Sequence, residues 1–403
     1  MSQPTTTDQK NFHALVIGAS GLSGWAFTNE LLHDYPRPGI WSRITGVTRK
    51  PMSEEEMSYW PKDDRFTLAS GFDLHNDDKD VLRQKFETKV KEVGSVTHVY
   101  YLIHDPLPDF DSPNPFAASL GALSKTLSTI ESLAPNLRFI HLQYGTFIYG
   151  ICFPDDIHYQ APLSEDLPPL QKPWCDVLHY QVWTDFMTDF SKGKSWMWCE
   201  TRPSEIIGFV PRVNYYNVAY PIAVYLSLYK YINGQGAECP FPGSFGAWKA
   251  LSSQGGAEMI AKAAIHLSLV EDPSVNGQGY NVASSATPSN WEMTWPVICS
   301  WFGLLGKPPV DNEKDKTRLP GPDEYIGMHE TEYKKMLEEY GLKDWPVVSP
   351  SMDGSANWGL TKLNVNSQLN LQKLRSTGFT EEETMKDTWT RAFELMRKAK
   401  VIP

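Results

Sequence analysis

Residues 13–32 read HALVIGASGLSGWAFTNELL, and this stretch decides the fold. Ala14 to Ile17 is a short apolar run of the kind that forms a buried strand. Gly18, Gly21 and Gly24 follow at GxxGxxG spacing, and a helical pattern then runs through Trp25, Phe27, Leu31 and Leu32. Strand, glycine turn and helix in that order form the phosphate-binding corner of a dinucleotide fold. There Gly18 permits the tight turn, Gly21 lets a diphosphate approach the backbone, and Gly24 lets helix pack on strand. The helix N-terminus, with its unpaired N–H groups and its dipole, favours a negative group at that point. A glycine-rich turn without a ligand is the bland alternative, and the strand ends further along the chain argue against it.

Downstream, Ile44–Thr48 reads as a second strand, ending on Arg49 and Lys50. A site that prefers NAD places an Asp or Glu here, roughly 20 residues past the glycines, to accept from the ribose hydroxyls. Two cations suit a 2′-phosphate instead and point to NADP(H); a solvated basic turn is the alternative. Residues 51–64 are polar and read as a loop, and Phe66–Phe72 as a third strand closed by Asp73 and Leu74. Asp73 can accept from an adenine amino group while the Leu74 N–H meets the ring. Equally, it can cap a helix over 80–90, a task that Asp77 or Asp78 would fill as well. Val96–Ile103 is a fourth, strongly apolar strand, and Leu137–Tyr144 a fifth. Ligands of such sheets lie outside the carboxyl ends of the strands, so Ile103, His104 and Gln143 face the expected cofactor. His104 is either a substrate contact or a structural histidine.

Helices are expected over 116–133 and 177–190, the second carrying Tyr180, and a sixth strand with its edge over 196–207. Aromatic and aliphatic residues recur at helical spacing over 215–232, as core or as the wall of a substrate pocket. Further helices are expected over 257–267, 291–302 and 381–399, and a returning strand near 280–283. This alternation predicts an α/β fold with a mostly parallel, doubly wound sheet. Residues 12–211 form its dinucleotide domain, completed by a segment near 278–284, and 212–403 a smaller, mostly helical substrate-binding lobe.

Composition narrows the function. With 37 Lys and Arg against 48 Asp and Glu, the net charge of −11 argues against nucleic acid, which needs clustered cations. The 14 Trp, 18 Tyr and 18 Phe must line a core or a roomy apolar pocket. Five scattered cysteines without a CxxC pair disfavour a disulfide framework and a zinc site, so no metal is expected. No apolar run approaches the length of a membrane span and the N-terminus lacks a signal-peptide pattern, so a cytoplasmic protein is expected. A second copy of the chain, giving a homodimer, is a candidate partner.

With these pieces in place the chain resembles the extended short-chain dehydrogenase/reductases. Within them it is most similar to the progesterone 5β-reductase/iridoid synthase group, the NADPH-dependent enone reductases with a Rossmann fold. The resemblance is carried by GASGLSG (18–24), GVTRK (46–50), FDL (72–74), THVYYL (97–102), HLQYG (141–145), EDLP (165–168), Tyr180 with Asp185, RPSEIIGFVP (202–211) and the terminal KAKVIP. It implies that Ser20, Gly21 and Leu22 hold the diphosphate and that Arg49 and Lys50 hold the 2′-phosphate. It further implies that Asp73 and Leu74 flank the adenine, and that Ile103, His104, Gln143 and Ile206 lie along the ribose and nicotinamide. Val213 and Asn214 would close over that end, and Tyr180 matches the catalytic tyrosine. Phe147, Tyr149 and His104 are the candidates for the substrate side.

Two positions depart from the family pattern. The YxxxK motif of most short-chain dehydrogenases would put a lysine at 184, where this chain has Thr184. The enone-reductase group supplies its lysine from the loop after the fifth strand, and Phe147 stands at that place; His104 replaces a customary Trp. A tyrosine without an ammonium neighbour in an apolar pocket keeps its proton near neutral pH. It is then a poor base and a good hydrogen-bond donor. The chemistry left to such a site is reduction of an enone, ketone or aldehyde on a bulky apolar substrate. The alternatives are a non-redox isomerase or cyclase on the same fold, or a nucleotide-sensing regulator.

Overall fold

The structure, a computed structural model, describes residues 11–103, 116–153, 156–214, 216–310, 319–345 and 359–403. Its first elements are β1 (Phe12–Ile17), α1 (Leu22–Leu32), β2 (Trp41–Thr48), α2 (Glu54–Met57), β3 (Phe66–Ser70) and α3 (Lys79–Lys89). Then come β4 (His98–Tyr101), α4 (Ala117–Leu133), β5 (Phe139–Gln143), α5 (Tyr180–Phe190) and β6 (Met197–Pro203). With the strand Gln278–Val282 on its edge, the central sheet has seven strands in the order 278–282, β6, β5, β4, β1, β2, β3. β1 pairs in parallel with both β2 and β4, so Ala14 lies between Ile44 and His98. β2–β3, β4–β5 and β5–β6 are parallel as well. The chain therefore reverses direction across the sheet between β1 and β4, the switch point at which such sheets open a crevice.

Both faces of this sheet are covered. On one, Leu82 and Phe86 of α3, Leu123 and Leu127 of α4, and Trp183 and Met187 of α5 join Leu15, Val99 and Ile140 in a buried cluster. On the other, Phe27 of α1 meets the rings of Tyr100 and His141, and the Tyr100 and His98 side chains bond Ser268. The doubly wound α/β fold is thus the observed one. By contact density the chain forms two compact units, one of Met1–Ile148, Pro168–Arg202 and Ala261–Tyr280, the other of Tyr149–Leu167, Pro203–Ile260 and Asn281–Pro403. The second unit is mainly helical, with an aromatic core in which Phe241, Trp291, Trp295, Trp389 and Phe393 touch one another.

Three local expectations change. Segment 51–64 is not all loop: Ser53 and Glu56 form a reciprocal capping box that starts α2. The helix expected from 177 begins at Tyr180, after a 3-10 turn over Trp174–Val177. The sixth strand stops at Pro203, because Ile206–Ile207 pairs instead with Gly255–Gly256, in parallel.

Candidate functional site

The glycine corner is built by close backbone contact. Gly18 has φ +90°, the left-handed region that glycine occupies at little cost, and its N–H donates to the Val47 carbonyl at 2.9 Å. A side chain there would collide with the Leu102 carbonyl oxygen (2.9 Å) and with Ile103 Cδ1 (3.1 Å). A Cβ on Gly24 would sit 2.0 Å from the Gly18 carbonyl oxygen, so the first turn of α1 is pressed onto the loop before it. Gly21 is the N-cap of α1 and offers no capping side chain, and the first turn of the helix carries no acidic residue. Its N–H groups and positive dipole end are thereby left for an anion. Ser20 and Gly21 are half-exposed at this point and Leu22 is buried. The cradle fits the diphosphate of a dinucleotide.

At the end of β2 the N–H groups of Gly71 and Phe72 both donate to the Thr48 carbonyl, which sets exposed Arg49 and Lys50 beside residues 71–73. The Asp73 carboxylate accepts from the Asn76 side-chain amide at 3.0 Å and from its backbone N–H at 3.3 Å. Those bonds are the first reason that Asp73 is held below the ordinary carboxylate range, with Arg49 adding to it. Helix α3 is capped by Asp78, not by Asp73. Leu74 is buried in the core.

At the ends of β4 and β5, Ile103 and Phe147 pack half-buried against the cluster that contains Tyr180. Gln143 Nε2 donates to Ser23 Oγ of α1 at 2.8 Å, while its buried Oε1 has no hydrogen-bond partner among the described residues. Tyr180 opens α5 and is 8 % exposed. Its ring is flanked by His179 (centroids 4.4 Å apart) and Tyr144 (5.0 Å). Thr184, at the offset of the usual lysine, hydrogen-bonds the Tyr144 hydroxyl at 3.2 Å. Burial, and after it the charge of Glu200, pushes the Tyr144 phenol well above its ordinary value, so it stays neutral. The lysines that could stand in for the missing cation are bound elsewhere. Lys125 donates to the carbonyls of His75 and Asp77, Lys172 lies exposed beside Asp176, and Lys249 pairs with Glu292.

In the second unit, Tyr149 is buried and donates to Asn281 Oδ1 at 2.7 Å. Asn281 in turn donates to Glu165 Oε1 and to the carbonyls of Leu163 and Asn370. Ile206 accepts through its carbonyl from the Val218 N–H. Val213 is half-buried, and Asn214 Oδ1 accepts from the Tyr216 N–H at 3.0 Å. His104 lies outside the described residues. Sequence reasoning missed the contact of Tyr144 with Thr184 and that of Gln143 with Ser23. Neither carried a signal in the sequence, since each joins the end of β5 to a helix 40 or 120 residues away.

Comparison with known proteins agrees with this geometry. The model of the PRISE-like Rossmann-fold domain family matches residues 14–403. The chain is 35% identical to the short chain dehydrogenase ausT of Aspergillus calidoustus, over 98% of this chain and 95% of that protein. It is 28% identical to the 3-oxo-Delta(4,5)-steroid 5-beta-reductase of Arabidopsis thaliana, over 82% of this chain and 80% of the plant protein. Among solved structures, the UDP-glucuronic acid 4-epimerase of Bacillus cereus, determined in complex with NAD, superposes with a TM-score of 0.59 at 11% identity, covering 96% of this chain and 99% of the epimerase. That likeness speaks for the fold alone. No helix among the described residues is long and apolar enough to cross a membrane. With the glycine corner, the strand-end residues and the helix-borne tyrosine in one unit, and a family match that runs almost end to end, the chain belongs to the PRISE-like Rossmann-fold domain family of short-chain dehydrogenase-type proteins.

Proposed function

We propose that this protein is an NADPH-dependent reductase of an α,β-unsaturated carbonyl, or of a ketone, on a bulky apolar substrate. The observation that carries the proposal is Tyr180, a buried phenol at the start of α5 flanked by aromatic rings, with Thr184 and not a lysine one turn along. Residues 12–211, with the strand near 278–284, serve the cofactor, and residues 212–403 the substrate. The glycine corner with Ser20 and Leu22 holds the diphosphate, Arg49 and Lys50 the 2′-phosphate, and Asp73 and Leu74 flank the adenine. Ile103, His104, Gln143, Ile206, Val213 and Asn214 serve the nicotinamide end. The two cations at the end of β2 support NADPH over NADH.

Reduced nicotinamide, when bound, supplies a hydride to the substrate. The chain's own part is to orient the carbonyl and to meet the charge that develops on its oxygen. Tyr180 donates its hydroxyl proton into a hydrogen bond to that oxygen, worth about 2.7–4 kcal/mol by the measure of an oxyanion-hole donor. Phe147, Tyr149 and His104 are assigned to the substrate. A neutral phenol suits this role, because reduction asks for a donor and not for a base.

The test is NADPH oxidation, followed at its absorbance, with cyclic enones from 2-cyclohexen-1-one to steroidal 4-en-3-ones and the matching ketones. Turnover is expected to fall about 10²–10³-fold in Tyr180→Phe. No NADPH consumption above background across the panel refutes the proposal. Conversion of substrate with no change in NADPH would instead select the isomerase or cyclase reading.

A further inference from the structure

We propose that Tyr144 and Thr184 together are the positioning element for Tyr180, an uncharged clamp that takes over the orienting role of the missing lysine. The inference rests on the reading of Tyr180 as the hydrogen-bond donor. Tyr144 follows directly on β5 and is held at both ends. Its backbone N–H donates to the Thr201 carbonyl of β6 at 2.8 Å, and its phenol shares a 3.2 Å hydrogen bond with Thr184 Oγ1. The ring between those anchors lies 5.0 Å from the Tyr180 ring at 34°, with the Trp183 ring edge-on at 6.0 Å. Trp183 is itself tied through its indole N–H to Ser119 of α4 at 2.9 Å. Tyr180 also meets the His179 ring, with centroids 4.4 Å apart.

The charges around Tyr144 agree with an uncharged clamp. Burial and then Glu200, buried on β6, oppose a phenolate at Tyr144; Arg202, which donates to Glu200 Oε1 at 2.7 and 2.9 Å, acts the other way but does not outweigh them. The Tyr144–Thr184 contact is therefore a bond between two neutral hydroxyls. A lysine at position 184 would orient the tyrosine and lower its pKa together. The clamp orients it without adding charge, as suits a group whose part is to donate a hydrogen bond.

The experiment uses the full chain with NADPH and 2-cyclohexen-1-one. Tyr144→Phe keeps the ring and removes the hydroxyl bond, and Thr184→Val removes the same bond from the other side. Each is expected to lower kcat about 3- to 10-fold, the range of one neutral hydrogen bond, with KM and NADPH affinity unchanged. The double variant should be no slower than the single ones, because one bond is lost in all three, and Thr184→Ser should restore the rate. In a Tyr180→Phe background the same substitutions should leave the residual rate unaltered. Wild-type kcat in both single variants overturns the clamp. So does an equal loss with and without the Tyr180 hydroxyl, which would mark a general structural effect. Wild-type rate in Tyr180→Phe alone overturns the donor reading itself, an outcome separate from the other two. Should Tyr144→Phe fail to fold, Thr184→Val tests the same bond.

Discussion

Exchanging Gly24 for Ala tests how the cofactor corner is made, and the same exchange at Gly121 supplies its control. A Cβ at Gly24 would lie 2.0 Å from the Gly18 carbonyl oxygen, 2.6 Å from its carbonyl carbon and 2.8 Å from Ala19 Cα. Ordinary contact begins near 3.4 Å, so the first turn of α1 must retreat by more than an ångström from the loop that shapes the phosphate cradle. These three nearest atoms are all backbone, so no swing of a side chain relieves them. Overpacking of this kind costs about 1–3 kcal/mol. The retreat also carries the N–H groups of α1 away from a bound diphosphate. Gly121, inside α4, has nothing within 4 Å of a Cβ, so Gly121→Ala should stabilise the chain by about 0.5–1 kcal/mol through helix propensity alone. Urea unfolding gives both stability changes, and quenching of the abundant tryptophan fluorescence reports NADPH binding. Gly24→Ala should be less stable and lose most of its NADPH affinity, while Gly121→Ala should be more stable and bind as the parent does. Parental stability and affinity in Gly24→Ala would refute the close packing from which the site is built.

Acid should unfold the protein through two buried histidines. His13 is lowered to about 4 and His141 to about 3, chiefly by burial. Below pH 6.5 the unfolded chain binds protons that the folded chain refuses. Stability should therefore fall from pH 6.5 toward 4 with a slope approaching about 1.4 kcal/mol per pH unit for each histidine. Urea midpoints at pH 7, 6 and 5 measure this, and His141→Gln should lessen the slope by one proton; an unchanged slope would contradict the assignment. Replacing Arg49 and Lys50 together by Ala should weaken NADPH binding at least about 10-fold and leave NADH binding near its parental value. An equal loss for both nucleotides would remove the 2′-phosphate assignment.

The parts of the site legible in the sequence are those whose physics is local. The glycine corner could be read because a left-handed backbone at Gly18 and a forbidden Cβ at Gly24 are demands that few residues other than glycine meet. The strands before and after it could be read because an apolar run bounded by turn residues has few other uses. The helix Trp291–Phe302 appeared with its expected bounds, since a capping Asn290 precedes the apolar stripe and Gly303 follows in the left-handed region. Helix α2 was equally legible, through the Ser53–Glu56 capping box, but the polarity of its surroundings hid it.

By itself, then, the sequence determined the class of fold, the corner for a dinucleotide, and the absence of lysine at positions 147 and 184. Only the tertiary structure decided what fills that absence. Tyr144 and Thr184 are 40 residues apart, and no periodicity or turn signal couples the end of one strand to the second turn of a later helix. The same holds for Ile206–Ile207, whose apolar pair continues the sixth strand in sequence yet bonds to Gly255–Gly256. Backbone conformation follows from neighbours along the chain, whereas the partner of a given side chain is chosen by packing between elements that meet only when the sheet has closed.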